Sequence, residues 1–169
     1  MRARRIVLAA ALAALAGCET SVRRTLPPEI RTITLAEFRN DTPEPLLVPA
    51  LSEELRRAFR LDGRLAVDDG GTGADAALTG ALISYERYAA RYDANNVVQE
   101  YRLRLVVELG LTGASSGTPI EAGPRRLEHS VSHVVVPASG LPVETESDAQ
   151  RRLLRELARE AVLRVLESR

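Results

Sequence analysis

The clearest pattern in the chain is a period of two from Val97 to Leu111, where apolar residues recur on one face and Glu100, Arg102, Arg104 and Glu108 fall on the other. A period of two places successive side chains on opposite faces of a β-strand, so this stretch predicts a long strand. Residues Asp75 to Arg91 before it are also strand-like, and the sequence DANN between the two runs is typical of a turn. The two runs therefore predict a long antiparallel hairpin.

Three shorter runs also predict strands. They cover Ile30 to Phe38, Arg64 to Val67 and Leu127 to Val136, with Pro137 ending the last one. The sequence RNDTPEP from Arg39 to Pro45 lies between the first run and the next apolar stretch, and it predicts a loop.

A helical period appears twice. Apolar residues recur at a spacing near 3.6 from Leu46 to Leu61, where Pro49 fits the first turn and Gly63 fits the position after the last turn. The same spacing runs from Ser147 to Arg169, with Ser147 and Gln150 as the expected capping box. Glu160 and Arg164 form a favourable i,i+4 pair on its polar face.

The predicted order of elements is β-α-β-β-β-β-α. Clustered strands with a helix on each side of them in the sequence indicate an α+β fold. Packing both helices on one face of a mixed sheet would bury both apolar stripes in a two-layer sandwich.

The N-terminus predicts export. Basic residues Arg2, Arg4 and Arg5 precede an apolar run from Ile6 to Ala16, which is shorter than the roughly 20 residues that a membrane-spanning helix needs. A basic start, a short apolar run and small residues before a cleavage site are typical of a secretory signal.

The segment Leu15-Ala16-Gly17-Cys18 resembles the lipobox of bacterial lipoproteins, and Cys18 is the chain's one cysteine. The resemblance implies that Cys18 receives a lipid and becomes the first residue after cleavage. The alternative is an ordinary signal peptide with a chance cysteine near its end. The predicted division is a signal peptide over 1–17, a lipidated N-terminus and tether over 18–28, and one domain over 29–169.

The net charge of the chain argues against one class of function. The leader removes three of the 23 basic residues and none of the 23 acidic ones, so the mature chain carries a net charge of −3. This balance argues against general nucleic-acid binding, which requires a strongly basic surface. All the basic side chains are arginines, which bind phosphates and carboxylates through two parallel hydrogen bonds.

The sequence contains little that predicts catalysis. His129 and His133 lie four residues apart, but in a strand this places them about 13 Å apart, too far for one metal ion. We interpret them as surface histidines. Ser115 and Ser116 have no neighbouring base, and the glycine-rich GGTG turn lacks the surroundings of a phosphate loop. We therefore expect a protein without enzymatic activity, cofactor or metal.

Five segments of the chain, taken in order, resemble the LPS-assembly lipoprotein family LptE, also called rare lipoprotein B. The similarity covers residues 26 to 167. It departs from the family at Glu19-Thr20-Ser21, because many members carry glycine and an aromatic residue after the lipidated cysteine. The similar segments are LPPEIRTITLAEFRNDTPEPLL, LSEELRRAFRLDGRLAV, ADAALTGALISYERYAARYD, VVQEYRLRLVVELGL and ETESDAQRRLLRELAREAVLRVL.

The resemblance implies both a fold and a role. Members pack two helices on a four-stranded sheet, which would make the sheet here mixed and mainly antiparallel. They plug the lumen of the outer-membrane β-barrel LptD, help that barrel assemble and help deliver lipopolysaccharide to the outer leaflet. The expected location is therefore the periplasmic side of the outer membrane. The absence of Asp after Cys18 also favours outer-membrane sorting.

Four arginines near the hairpin are candidates for contact with the phosphates of lipopolysaccharide: Arg87, Arg91, Arg102 and Arg104. The alternative is an ordinary solvated sheet face, whose arginines are balanced by Glu86, Glu100 and Glu108. A second function also remains open. A periplasm-facing lipoprotein of similar build would serve as an envelope scaffold or a secretion-channel accessory.

Overall fold

The computed structural model describes residues 26–70, 73–120, 123–135 and 144–167. The predicted signal peptide, the lipidation site Cys18 and most of the tether lie outside the described residues. The elements in chain order are β1 (Thr32–Leu35), β2 (Arg39–Asn40), α1 (Leu47–Asp62), β3 (Ala66–Val67), β4 (Ala76–Tyr92), β5 (Val98–Gly113), β6 (Arg125–Val134) and α2 (Glu146–Leu166).

The strands form one mixed sheet of six strands. Its main order is β3-β1-β4-β5-β6, and β2 also pairs with β4. The pairings β1–β3, β1–β4 and β2–β4 are parallel, whereas β4–β5 and β5–β6 are antiparallel. The expectation of two helices and a mixed sheet is confirmed, but the expectation of a mainly antiparallel sheet of four strands is wrong. Strands of two residues carry no readable period, and their parallel pairing depends on where helix α1 returns the chain.

The predicted hairpin is the longest feature of the fold. Strands β4 and β5 pair from Ala76 and Gly113 at the open end to Tyr92 and Val98 near the turn. The register shifts between Leu82 and Ser84 and twice between Ala89 and Tyr92. Such bulges change which face of the sheet the following side chains occupy.

The core lies between the helices and one face of the sheet. From α1 it takes Leu47, Leu51, Leu55 and Phe59, which are four of the six residues of the predicted apolar stripe. The other two differ from the prediction, since Ala58 is half-buried and Ala50 is exposed. The four buried residues meet inward-facing residues of the hairpin such as Leu82, Leu105 and Val107. Helix α2 adds Ala149, Leu153, Leu154, Leu157, Ala158, Ala161, Val162, Val165 and Leu166.

The end of α1 agrees with the prediction from the sequence, whereas the start of α2 does not. Gly63 follows α1 with φ of 74°, and its N–H donates to the Phe59 carbonyl, as the sequence predicted. The capping box predicted at Ser147 and Gln150 is wrong. Thr145 caps α2 instead, by accepting from the Asp148 N–H while Asp148 accepts from the Thr145 backbone. The third helical residue of this box is an aspartate, whereas the familiar pattern has Glu or Gln there.

Asp75 fixes the start of β1 against β4. One of its carboxylate oxygens accepts hydrogen bonds from the Arg31 N–H at 2.9 Å, the Thr32 N–H at 2.9 Å and the Thr32 hydroxyl at 2.7 Å. The Thr32 side chain, followed by the two backbone donors, lowers the pKa of Asp75 below its ordinary value. This cluster holds a parallel strand pair that has few residues of its own.

Two leucines on α2 test the assignment of the core. Leu153 is fully buried, whereas Leu163 is 48% exposed. We expect Leu153→Ala to lower the free energy of unfolding by about 2–5 kcal/mol, since it leaves a cavity. The matched change Leu163→Ala should cost less than about 1 kcal/mol because its side chain is half in water. Denaturant unfolding of both variants measures the difference, and equal losses would contradict this packing.

Candidate functional site

The face of the sheet that points away from the helices is the candidate site, and we call it the open face. The helices build a single core with the inward-facing residues, so they leave this face uncovered. Across its centre the pairing register brings together eight charged side chains, with equal numbers of arginines and glutamates. They are Glu86, Arg91, Glu100, Arg102, Arg104, Glu108, Arg126 and Glu128.

Arg104 lies at the centre of this face and is fully engaged. Its Nε and Nη2 donate to the two carboxylate oxygens of Glu128 at 2.7 and 2.8 Å, and its Nη1 donates to Glu86 at 3.3 Å. The hydrogen bond from Arg104 is the main reason that the pKa of Glu128 is lowered. The two carboxylates in turn raise the pKa of Arg104. These ion pairs, which we call the central ladder, link strands β4, β5 and β6. The main role of Arg104 is therefore to stabilise the sheet.

A second ladder lies nearer the hairpin turn. Arg91 contacts Glu100 across the strands at 3.3 Å. The pKa of Glu100 is lowered, first by a hydrogen bond with the Ser132 side chain and then by Arg91. Arg91 is therefore partly neutralised, although about half of its side chain remains exposed.

Arg102 lies between these two ladders and differs from both. It is exposed, and it has no ion-pair partner among the described residues. Its cross-strand neighbours are Tyr88, which is 45% exposed, and Ser132. Arg126 on β6 is similarly exposed and without an ion pair in the described part of the chain. It lies six residues from Ser132, or about 20 Å along the strand.

Arg87 does not share this face. It pairs with the buried Leu103, and its guanidinium lies 3.7 Å from the centre of the Tyr101 ring. It also contacts Glu146 at the start of α2 at 3.2 Å. The expected group of four arginines is therefore split, with Arg91, Arg102 and Arg104 together and Arg87 on the helix side. The bulge after Ala89 causes this split, because it reverses the alternation between Arg87 and Arg91.

The other end of the open face forms a cleft of about 350 Å³. Small residues make its floor, including Thr79, Ala81 and Gly110, while Arg39 and Glu108 place opposite charges at its rim. The Arg39 side chain is already bound to Asp41 at 2.8 Å. Sequence analysis missed this cleft. A run of small outward-facing residues at 77, 79, 81, 110 and 112 was the available signal.

The two histidines lie on the helix side of β6 rather than on the open face. His133 is only 5% exposed, and its Nε2 lies 2.9 Å from the Glu144 carbonyl oxygen. The interpretation of His133 as a surface residue is therefore wrong, because α2 covers this part of the strand. His129 contacts Glu156 through Nε2 at 2.9 Å and Glu160 through Nδ1 at 3.7 Å. Within the described ranges no cluster of three metal-ligating side chains occurs.

Arg104→Gln tests the central ladder. A folded-state pKa of Glu128 below its ordinary value means that this carboxylate stabilises the fold above the ordinary pKa, about 4.3. The contribution is lost as the pH falls through the lowered value. We expect Arg104→Gln to lower the denaturant midpoint at pH 7. Below about pH 4 the midpoint of the variant should approach that of the wild type.

The matched control is Arg102→Gln, which makes the same change on the same strand but removes no ion pair between described residues. Its midpoint should stay near that of the wild type at both pH values. Equal effects of the two substitutions would show that the ladder does not stabilise the sheet.

Solved structures share this fold. The minor lipoprotein of Acinetobacter baumannii has a TM-score of 0.51 and 18% identity, over 80% of this chain and 92% of that chain. The Chlamydia trachomatis protein CT253 has a TM-score of 0.57 and 12% identity, over 82% and 97%. The Xanthomonas campestris protein XCC0632 has a TM-score of 0.53 and 14% identity, over 83% and 89%. At these identities the likeness concerns the fold alone.

Comparison of the sequences identifies the family. No curated protein is significantly similar to the chain in sequence. In the described residues, no helix combines the length and the hydrophobicity needed to cross a membrane. The model of the lipopolysaccharide-assembly family LptE matches residues 30–165, which include every helix and strand of the fold except the last residue of α2. The chain therefore belongs to the LptE family.

Proposed function

We propose that this protein is a lipoprotein of the outer membrane, anchored on its periplasmic side by lipid on Cys18, that plugs and helps assemble the LptD barrel and assists lipopolysaccharide delivery. The match of residues 30–165 to the lipopolysaccharide-assembly family carries this proposal. The lipobox-like segment before Cys18 supports the anchor.

The open face supports a role as a plug. Large outer-membrane barrels enclose an aqueous lumen, so a domain inside one must present a polar surface to its wall. The open face offers charged side chains in equal numbers of each sign. A balanced surface of this kind suits a wet, polar contact, in which water bridges many of the groups.

Lipopolysaccharide contact is assigned to the hairpin part of the open face. Arg102 can offer its guanidinium to a phosphate without breaking an ion pair of the described residues, and Arg91 would give up one exposed contact with Glu100. Arg104 would have to leave two carboxylates. We therefore place Arg102 and Arg91 at the anion contact and give Arg104 a structural role. Arg87, which lies on Tyr101 on the helix side, is outside this contact.

The proposed role needs no chemical step. Plugging, assembly and delivery all depend on binding surfaces, and the open face presents ion pairs and hydroxyl groups rather than a paired nucleophile and base. We propose accordingly that the protein acts without catalysis and without a cofactor.

Affinity purification from outer membranes tests the proposal. A tagged full chain, extracted in detergent, should bring down a β-barrel of large mass that mass spectrometry identifies as LptD. Cys18→Ser is the control, and it should leave less of the chain in the membrane fraction. Recovery of the lipidated chain with peptidoglycan or a secretion channel, and without a barrel, would overturn the proposed role and favour the scaffold or accessory function.

Charge reversal tests the anion contact. We expect Arg91→Glu combined with Arg102→Glu to weaken binding of purified lipopolysaccharide by roughly tenfold or more, since a hydrogen bond to a charged group contributes about 1.5–3 kcal/mol. The control is Arg126→Glu, which reverses an exposed charge on the same face about 20 Å away. Unchanged binding by the double variant, with an unchanged melting temperature, would exclude this contact.

A further inference from the structure

A groove runs between the two helices on the side of the molecule opposite the open face. Two adjoining cavities of about 240 and 50 Å³ form it, and both are lined by Ala58, Leu61 and Arg159. Leu61 is 76% exposed and Leu163, in the larger cavity, is 48% exposed. Leu61 and Leu163 therefore flank a solvent-exposed groove and do not belong to the core.

The groove is also cationic. Arg155 and Arg159 lie one turn apart on α2, and both are exposed without an ion-pair partner among the described residues. Arg57 lines the same cavity from α1 and lies 3.7 Å from Glu54.

The acidic side chains at the groove leave this charge in place. Glu54 lines the smaller cavity, and its side chain is only 12% exposed. Asp62 lines the larger cavity but is bound to Arg64 at 2.7 Å. The groove therefore combines exposed leucines with an excess of arginine, which is the composition of an interfacial membrane-binding surface.

The length of chain before the domain limits what this surface can meet. Leu26, which is buried in the core, comes eight positions after Cys18. Fully extended, this stretch reaches about 28 Å. If Cys18 carries lipid, as the proposed function holds, Leu26 can lie no farther than this from the bilayer surface, which keeps the domain close to it.

We infer that the groove docks on the surface of a bilayer that contains anionic phospholipid. Leu61 and Leu163 enter the boundary between headgroups and acyl chains, while Arg155 and Arg159 extend to the lipid phosphates. An acidic protein surface would match the arginines but would leave the exposed leucines unexplained. The inference rests on the proposed lipid anchor and concerns the anchored domain before it enters a barrel, because a domain inside the lumen does not lie on the bilayer surface.

A single fluorescent label tests the docking. Since Cys18 is the chain's one cysteine and would be blocked by lipid, an introduced cysteine gives one site for an environment-sensitive dye. We would label Leu163→Cys and, as the matched control on the open face, Ser130→Cys. Both are made in the full lipidated protein and reconstituted in vesicles of phosphatidylethanolamine and phosphatidylglycerol that contain a doxyl-labelled lipid as quencher.

We expect the lipid quencher to reduce fluorescence at residue 163 at least threefold more than at residue 130. Replacing phosphatidylglycerol by phosphatidylcholine should remove most of this difference. The double substitution Arg155→Gln with Arg159→Gln should also remove most of it. Arg39→Gln with Arg126→Gln, which takes the same charge from the open face, should leave it unchanged.

Three results would contradict the inference. Equal quenching at residues 163 and 130, in protein that remains on the vesicles, would overturn the docking but leave the anchor and the proposed function intact. Shielding of residue 163 that occurs only when the purified barrel is present would show that the groove binds protein instead. Protein that fails to float with the vesicles at all would lack the anchor, and this outcome would contradict the proposed function together with the inference.

Discussion

The antiparallel pairing of β4 with β5 is the constraint on which the rest of the structure depends. Every other element is built on this hairpin, directly or through one neighbour. Because side chains alternate across a strand, the same pairing supplies both the floor of the core and the open face. Leu103 and Leu105 support the helices, while Arg102 and Arg104, which alternate with them along β5, face away.

At the centre of the open face, charged side chains of neighbouring strands pair with one another. The contacts of Arg104 with Glu86 and Glu128 link β4, β5 and β6, and the lowered pKa of Glu128 shows the direction of their mutual stabilisation. A partner that binds here has little reason to separate them, since a bidentate arginine–carboxylate contact within a network is the kind of surface ion pair that contributes to stability. We therefore propose that specific anion contact is made by side chains such as Arg102, which lie beside these ion pairs.

Long periodic segments of the sequence predicted the hairpin and both helices because burial of one face repeats over many residues. Features that depend on one or two residues do not produce such a repeat, so the periodic pattern could not predict them. The pairing of β2 and the Thr145 cap depend on tertiary position, and a single bulge after Ala89 moved Arg87 away from Arg91. His133 looked exposed in the sequence, since nothing in its strand indicates that α2 covers it.

We propose that the open face of the sheet, rather than the helical layer, meets the barrel. Site-specific photo-cross-linking in intact outer membranes tests this most directly, with a photoreactive amino acid at Ser130 on the open face or at Arg151 on the exposed side of α2. If the open face meets the barrel, a protein of barrel mass should cross-link to residue 130 and little or none should cross-link to residue 151. Barrel cross-links from residue 151 alone would contradict this proposal.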